Sequence, residues 1–196
     1  MRVIAIAGAL LLIGCDQKPP EPTSSKPAAA PTTPAQEQKP ATPTQPAKGD
    51  GDISWKKPDA WKEGTNPSAM RKATYIVPKA AGDAEDGELS VSAAGGALDA
   101  NIDRWRGQFE ENPEAKKSDK EVNGLKVTVV ELAGTFKGGG PMMGGGGEPK
   151  KDWMMLAAIV PTSPQMHFFK LTGPKKTVEA ARADFDVLVG SISPKK

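Results

Sequence analysis

The chain has 196 residues, with 26 Lys and Arg against 24 Asp and Glu, one Cys and one His. A lone Cys excludes an intramolecular disulfide, a Cys-based zinc site and a CxxC redox pair, and a net charge of +2 lacks the basic excess of nucleic-acid-binding proteins. With 19 Pro and 21 Gly, the chain carries too many breakers to fold along its whole length.

Met1 and Arg2 give a minimal positive start, and Val3 to Ile13 then run apolar apart from Gly8. That is the length of a signal-peptide core. A membrane span needs about 20 apolar residues, so this segment is too short to be one. It ends Leu12-Ile13-Gly14-Cys15, which resembles the bacterial lipobox. The resemblance implies that residues 1–14 are a lipoprotein signal peptide and that Cys15 becomes the acylated (palmitate-bearing) N-terminus. It implies a place in the cell envelope, anchored to a membrane and facing the periplasm, with inner and outer membrane both open. Several acyl chains hold a protein where one binds only marginally. The other reading is a plain secretory signal, or a cytosolic apolar start, with an incidental Cys.

Residues 15–51 hold nine prolines among Ala, Thr, Gln, Ser and Lys, with no aromatic. Such a composition buries too little surface to offset ordering entropy, which predicts a disordered linker after the lipidated Cys. Residues 52–196 contain all the Trp, Phe and Tyr, and about 145 residues suit a single globular domain.

Trp55-Lys-Lys-Pro58-Asp-Ala-Trp61 opens this domain, two indoles expected against the core. Residues 70–77 (MRKATYIV) read as a strand stopped by Pro78. An acidic turn follows, with Asp86-Gly87 as its hairpin signal. Residues 88–93 alternate in period two, with Leu89, Val91 and Ala93 on one face. Leu98, Ile102, Trp105 and Phe109 then recur at helical spacing, which predicts a helix over 97–111 that ends before Pro113. Residues 125–136 form the longest expected strand, and 137–151 a loop with seven glycines. The apolar run 153–160 is expected inside the sheet, with 167–171 as its partner strand. After Pro174, the shared face of Val178, Ala181, Phe185, Leu188 and Val189 predicts a last helix. The order β-β-α-β-β-β-α argues an α+β fold, a single domain with an antiparallel β-sheet flanked by two main helices.

The element order, the Trp/Pro opening and the ending Phe185, Leu188, Ser191-Ile192 resemble the PsbP-like fold. Asn101-Ile-Asp-Arg104-Trp105-Arg-Gly-Gln108-Phe109, with Lys170-Leu-Thr-Gly173-Pro174, resembles a family of uncharacterised bacterial lipoproteins over most of the domain. The second resemblance implies no activity. The first implies a non-catalytic accessory or assembly module, an inference of fold and not of site.

Asn101, Arg104 and Gln108 fall on one helical stripe beside the apolar one, where they would offer amides and a guanidinium to a partner. Arg is enriched at interface hot spots, which singles out Arg104. In the plainer reading Arg104 pairs with Asp103 or Asp99 and the amides bond backbone. His167 has no GxSxG nucleophile to serve and reads as a structural strand residue. No GxGxxG or GxxxxGK[ST] phosphate loop is present, and Asp83, Glu85, Asp86 and Glu88 miss the calcium-loop register.

Met142 and Met143 sit within the glycine run. Thioethers are soft ligands for Cu(I), but adjacent Met residues converge poorly on one metal, and adaptable contact surface is the plainer role. No catalytic residue, metal site or cofactor is assigned. The expectation is a membrane-anchored, non-enzymatic envelope lipoprotein acting as a protein-interaction or accessory module. Its partners would be the membrane, through Cys15, and an envelope protein, through Asn101, Arg104, Gln108, Met142 and Met143; no nucleic acid is expected. The alternative is an extracytoplasmic small-ligand or metal (copper) binding protein.

Overall fold

A computed structural model describes residues 52–67, 69–137 and 148–195. Cys15, the proline-rich linker and the Met142-Met143 pair lie outside the described residues. In chain order the strands are β1 (Ile53–Ser54), β2 (Lys62–Glu63), β3 (Arg71–Val77), β4 (Gly87–Ala94), β5 (Lys116–Val122), β6 (Leu125–Phe136), β7 (Lys150–Pro161), β8 (Met166–Pro174) and β9 (Ser193–Pro194). Helix α1 (Leu98–Arg106) separates β4 from β5, while α2 (Lys175–Ala180) and α3 (Arg182–Gly190) lie between β8 and β9. Strands β2-β3-β4-β8-β7-β6-β5 form one sheet in that order, and every pairing is antiparallel. The short β1 and β9 pair with each other, so the first and last strands of the described residues close together.

Period-two alternation sends successive side chains to opposite faces, and in this sheet each face carries a helix layer. On one face Val178, Phe185, Leu188 and Val189 of α2 and α3 pack on Leu89, Val91, Leu156, Phe169 and Leu171. Trp61 and Ile53 seal that layer, and Trp55 stands edge-on to Phe169 with ring centres 5.2 Å apart. On the other face Ile102, Trp105 and Phe109 pack on Val130, Leu132, Met155, Ala157, Ile159 and Phe168. The α+β architecture expected from the sequence is therefore present, as helix layers on both sides of one antiparallel sheet. Among the described residues no helix is long and apolar enough to cross a membrane.

Four local expectations are corrected. Helix α1 stops at Arg106 rather than near Glu111, because the following backbone joins the sheet edge: Lys137 N donates to Gln108 O (2.8 Å) and Glu110 N to Thr135 O (2.9 Å). Residues 116–122 (KKSDKEV) form β5, a strand with no apolar alternation to announce it. Its partner's register and the turn at Asn123-Gly124, with φ of 49° and 80°, set it in place as a tight hairpin. Its charges suit an edge strand, where they oppose pairing with another chain. Asp86-Gly87 is not the β3–β4 turn itself: Gly87 already pairs with Val77, and Asp86 closes the longer loop by accepting from Lys79 N at 3.0 Å. The last helix is two short ones, α2 and α3, separated at Ala181.

Gly173 explains part of the Lys170–Pro174 segment. A Cβ there would lie 2.9 Å from Gly87 Cα, a backbone atom that cannot swing aside. Two glycines meet where β4 and β8 run under α2. Gly173→Ala is expected to lower stability by about 1–3 kcal/mol, the usual range for overpacking, read as a lower urea midpoint. An unchanged midpoint would show that the strands can separate there.

His167 is fully buried beside Thr162, whose Oγ1 lies 3.2 Å from its Nδ1. Burial pulls its pKa below the ordinary 6.5, with the Lys72 charge acting the same way and Asp52 opposing. The unfolded chain then binds a proton more readily than the native one, so this stability contribution is complete above pH 6.5 and is lost as pH falls through and below it. Unfolding at pH 7 and pH 5 is expected to differ more in the wild type than in His167→Gln; equal differences would overturn this assignment.

Candidate functional site

The sheet face that carries α1 is half apolar and half polar, and the boundary runs along β8. Register aligns Thr74 of β3 with Ser90 of β4, Lys170 of β8 and Ala157 of β7. In the next row Ile76, Glu88, Thr172 and Met155 are aligned. Helix α1 occupies the apolar half, over β6, β7 and Phe168. Arg104 precedes Trp105, which packs edge-on against Phe168, two residues before Lys170 on the same face of β8, and its positive charge helps to lower the Lys170 pKa.

Three cations approach this polar shelf from three elements. Arg71, beside the bulge in β3, donates from Nη1 to Glu88 Oε1 (2.8 Å) and to Thr74 Oγ1 (3.3 Å). Arg104 donates from Nη2 to Asn101 Oδ1 at 2.7 Å. Lys170 is partly buried and rises from the middle strand of the sheet. Burial lowers its amine to about 8, helped by the positive charges of Arg71 and Arg104 and opposed by Glu88. Ser90 Oγ donates to the Lys170 carbonyl at 3.4 Å, so the hydroxyl beneath the amine is tied to its own strand pair.

The predicted stripe residues behave differently from one another. Asn101 is 3% exposed and Gln108 6%, so neither presents its amide as open contact surface. Asn101 instead donates from Nδ2 to Ala97 O (2.9 Å) while it accepts from Arg104, which makes it a positioning residue. Arg104 is exposed, and its hydrogen bond goes to Asn101 rather than to Asp99 or Asp103. Those acids pair with Lys117 (3.3 Å) and Arg106 (3.2 Å). The Gln108 Oε1 is buried with no hydrogen-bond partner among the described residues. Cys15, Met142 and Met143 lie outside the described residues.

Arg71, Glu88 and Lys170 are the site residues that sequence reasoning missed. A signal existed for one of them: Lys170 is the only charge in the run His167 to Leu171, and a lysine inside a sheet-interior strand demands a reason. Nothing in the sequence pairs Arg71 with Glu88 across a nine-residue loop. On the opposite flank of α1, a cavity of about 410 Å³ is lined by Asp99, Asp103, Arg106, Glu114 and Lys117, and its main charges are already paired. Among the described residues no cluster of three or more His, Cys, Asp and Glu could hold a metal ion.

No family model matches the chain, and no curated protein matches it. Solved structures with some similarity to this chain include a cyanobacterial PsbP (CyanoP) from Synechocystis, at 14% identity and a TM-score of 0.44, covering 79% of this chain and 100% of that one. LpqN of Mycobacterium tuberculosis, involved in cell envelope biogenesis, is similar at 13% identity and a TM-score of 0.42, covering 74% of this chain and 84% of its own. A protein from Bacteroides thetaiotaomicron is similar at 14% identity and a TM-score of 0.43 over 74% of this chain, which spans 45% of that protein's length. These likenesses carry no activity to this chain.

Lys170 also predicts a pH signature. Its amine is harder to charge in the native state, so between about pH 8 and the ordinary lysine value near 10.5 stability rises with pH. Lys170→Met is expected to be more stable than wild type at pH 7 and to lose that rise. Identical pH profiles would show that the wild-type amine is fully solvated.

Proposed function

We propose that this chain is a lipid-anchored module of the bacterial cell envelope, held to the membrane through Cys15 and acting by binding rather than by catalysis. The observation that carries the reading is the polar shelf beside α1. Arg71, Arg104 and Lys170 converge there from a strand, a helix and the central strand, and one carboxylate, Glu88, acts on Lys170. Keeping a desolvated cation inside a sheet lowers stability, and residues that do so cluster at functional sites. The Leu12-Ile13-Gly14-Cys15 sequence supports the anchor.

Arg104 is the residue through which an envelope protein would be contacted, since it is the exposed member of its stripe and Asn101 holds it in one orientation. Two measurements test the reading. Intact-mass analysis of the protein from membranes is expected to show a lipidated Cys15 N-terminus, with detergent partitioning lost in Cys15→Ser; an unlipidated wild-type mass would overturn the anchor. Crosslinking of the full-length protein in cells is expected to capture one dominant envelope protein, with capture lost in Arg104→Ala. A wild-type sample without a specific partner would overturn the interaction role.

A further inference from the structure

We propose that the shelf formed by Arg71, Arg104 and Lys170 is a binding site for a single oxyanionic group, a phosphate or carboxylate, carried by a small ligand or by the end of a larger one. The inference rests on the reading of this face as the binding face and gives it a chemistry. Three positions are held independently. Arg71 is fixed by Thr74 and Glu88, Arg104 by Asn101, and Lys170 by its place in β8, with paired strands on both sides.

The charges do not cancel within the site. Glu88 is engaged by Arg71, and it is the one acid among the groups that act on Lys170. Among the described residues the Lys170 amine makes no hydrogen bond or ion pair, and Arg71, Arg104 and Glu88 act on it through space. An ammonium carries three donors, and at Lys170 they are open to an incoming acceptor such as an oxyanion. Its oxygens would accept from the ammonium and from the Arg104 donors not used by Asn101, and charge-assisted bonds of this type are the strong ones.

The arrangement also favours a compact anion over a broad surface. The amine stands on the sheet beside α1 and does not project from a solvated edge. A flat membrane or a nucleic-acid backbone would meet exposed lysines first. The side chains of Lys116, Lys117 and Lys126 are more than half exposed and already face acids of their own. The charged groups that act on Lys170 are Arg71 from β3, Glu88 from β4 and Arg104 from α1, while its β7 neighbour is the neutral Ala157. Protonation of the amine therefore governs affinity across neutral pH, since the guanidiniums stay charged.

The test is an NMR titration of the full chain in detergent, following the lysine Nζ and arginine Nε signals. Inorganic phosphate and citrate are added separately against chloride at constant ionic strength. Saturable shifts are expected at Lys170, Arg104 and the Ser90 amide with at least one of the two anions. In Lys170→Met the response at Arg104 and Ser90 is expected to weaken by about tenfold or more, and in Arg104→Gln the response at Lys170 by several-fold. Affinity in the wild type is expected to fall by about tenfold between pH 7 and pH 9.5, as the amine deprotonates.

Vesicles rich in phosphatidylglycerol form a separate arm. Shifts at the same residues, competed by the soluble anion, would identify a lipid phosphate as one source. Vesicle binding with no response to either soluble anion would overturn the proposal. So would a full response in Lys170→Met with native backbone signals. Either result would leave lipidation and partner capture standing, because those are read in cells and do not depend on anion binding.

Discussion

Strand β8 lies in the middle of the seven-stranded sheet, between β4 and β7, with a helix layer on each side of it. That placement governs the rest of the molecule. His167, Phe169 and Leu171 must satisfy the layer under α2 and α3, while Phe168 lies under α1 and Lys170 on the polar half beside it. A one-residue slip would exchange these sets and put a lysine amine among Phe185 and Leu188, so the register is specified strongly. The pair Gly87 and Gly173 adds a steric lock at one end of the same strand contact. The pairing of His167 with Thr162 secures the other.

Helix α1 then decides which part of the second face is usable. Its apolar stripe covers Phe168, Ala157 and Ile159, the half of the face where packing provides stability. The remaining half carries Thr74, Glu88, Ser90, Lys170 and Thr172, and there the chain accepts a charge that burial disfavours. The aromatic contact between Trp105 and Phe168, edge-on with centres 5.5 Å apart, fixes the helix at the boundary. Arg104, one residue before Trp105, is thereby held at the flank of the shelf, and Asn101 sets its orientation. Packing and electrostatics are divided within a single nine-residue helix.

Much of this was legible from residue order. Alternation in residues 88–93 and the apolar run 153–160 named their strands, and the spacing of Val178, Phe185 and Leu188 named the helical layer that they form. The helix α1 stripe was legible too, but not its end, because the bonds from Glu110 and Lys137 to distant backbone override local propensity. Strand β5 was missed for a related reason: an edge strand with solvent on its outer side needs no apolar pattern, and its partner β6 supplies the ladder.

Within the candidate site, helical spacing placed Asn101, Arg104 and Gln108 on one polar stripe, and the enrichment of Arg at interfaces singled out Arg104. Burial separates them into a positioning amide, an exposed guanidinium and an enclosed amide, a distinction that periodicity does not contain. The sequence by itself determined the five apolar-patterned strands and the two helical faces, the near-neutral charge and the lipobox-like Cys15, because each depends on local composition and spacing. Only the tertiary structure decided that Arg71, Arg104 and Lys170 share one face. Residues 33 and 66 positions apart meet there because β8 inserts next to β4, and long-range strand order is not encoded in any local pattern.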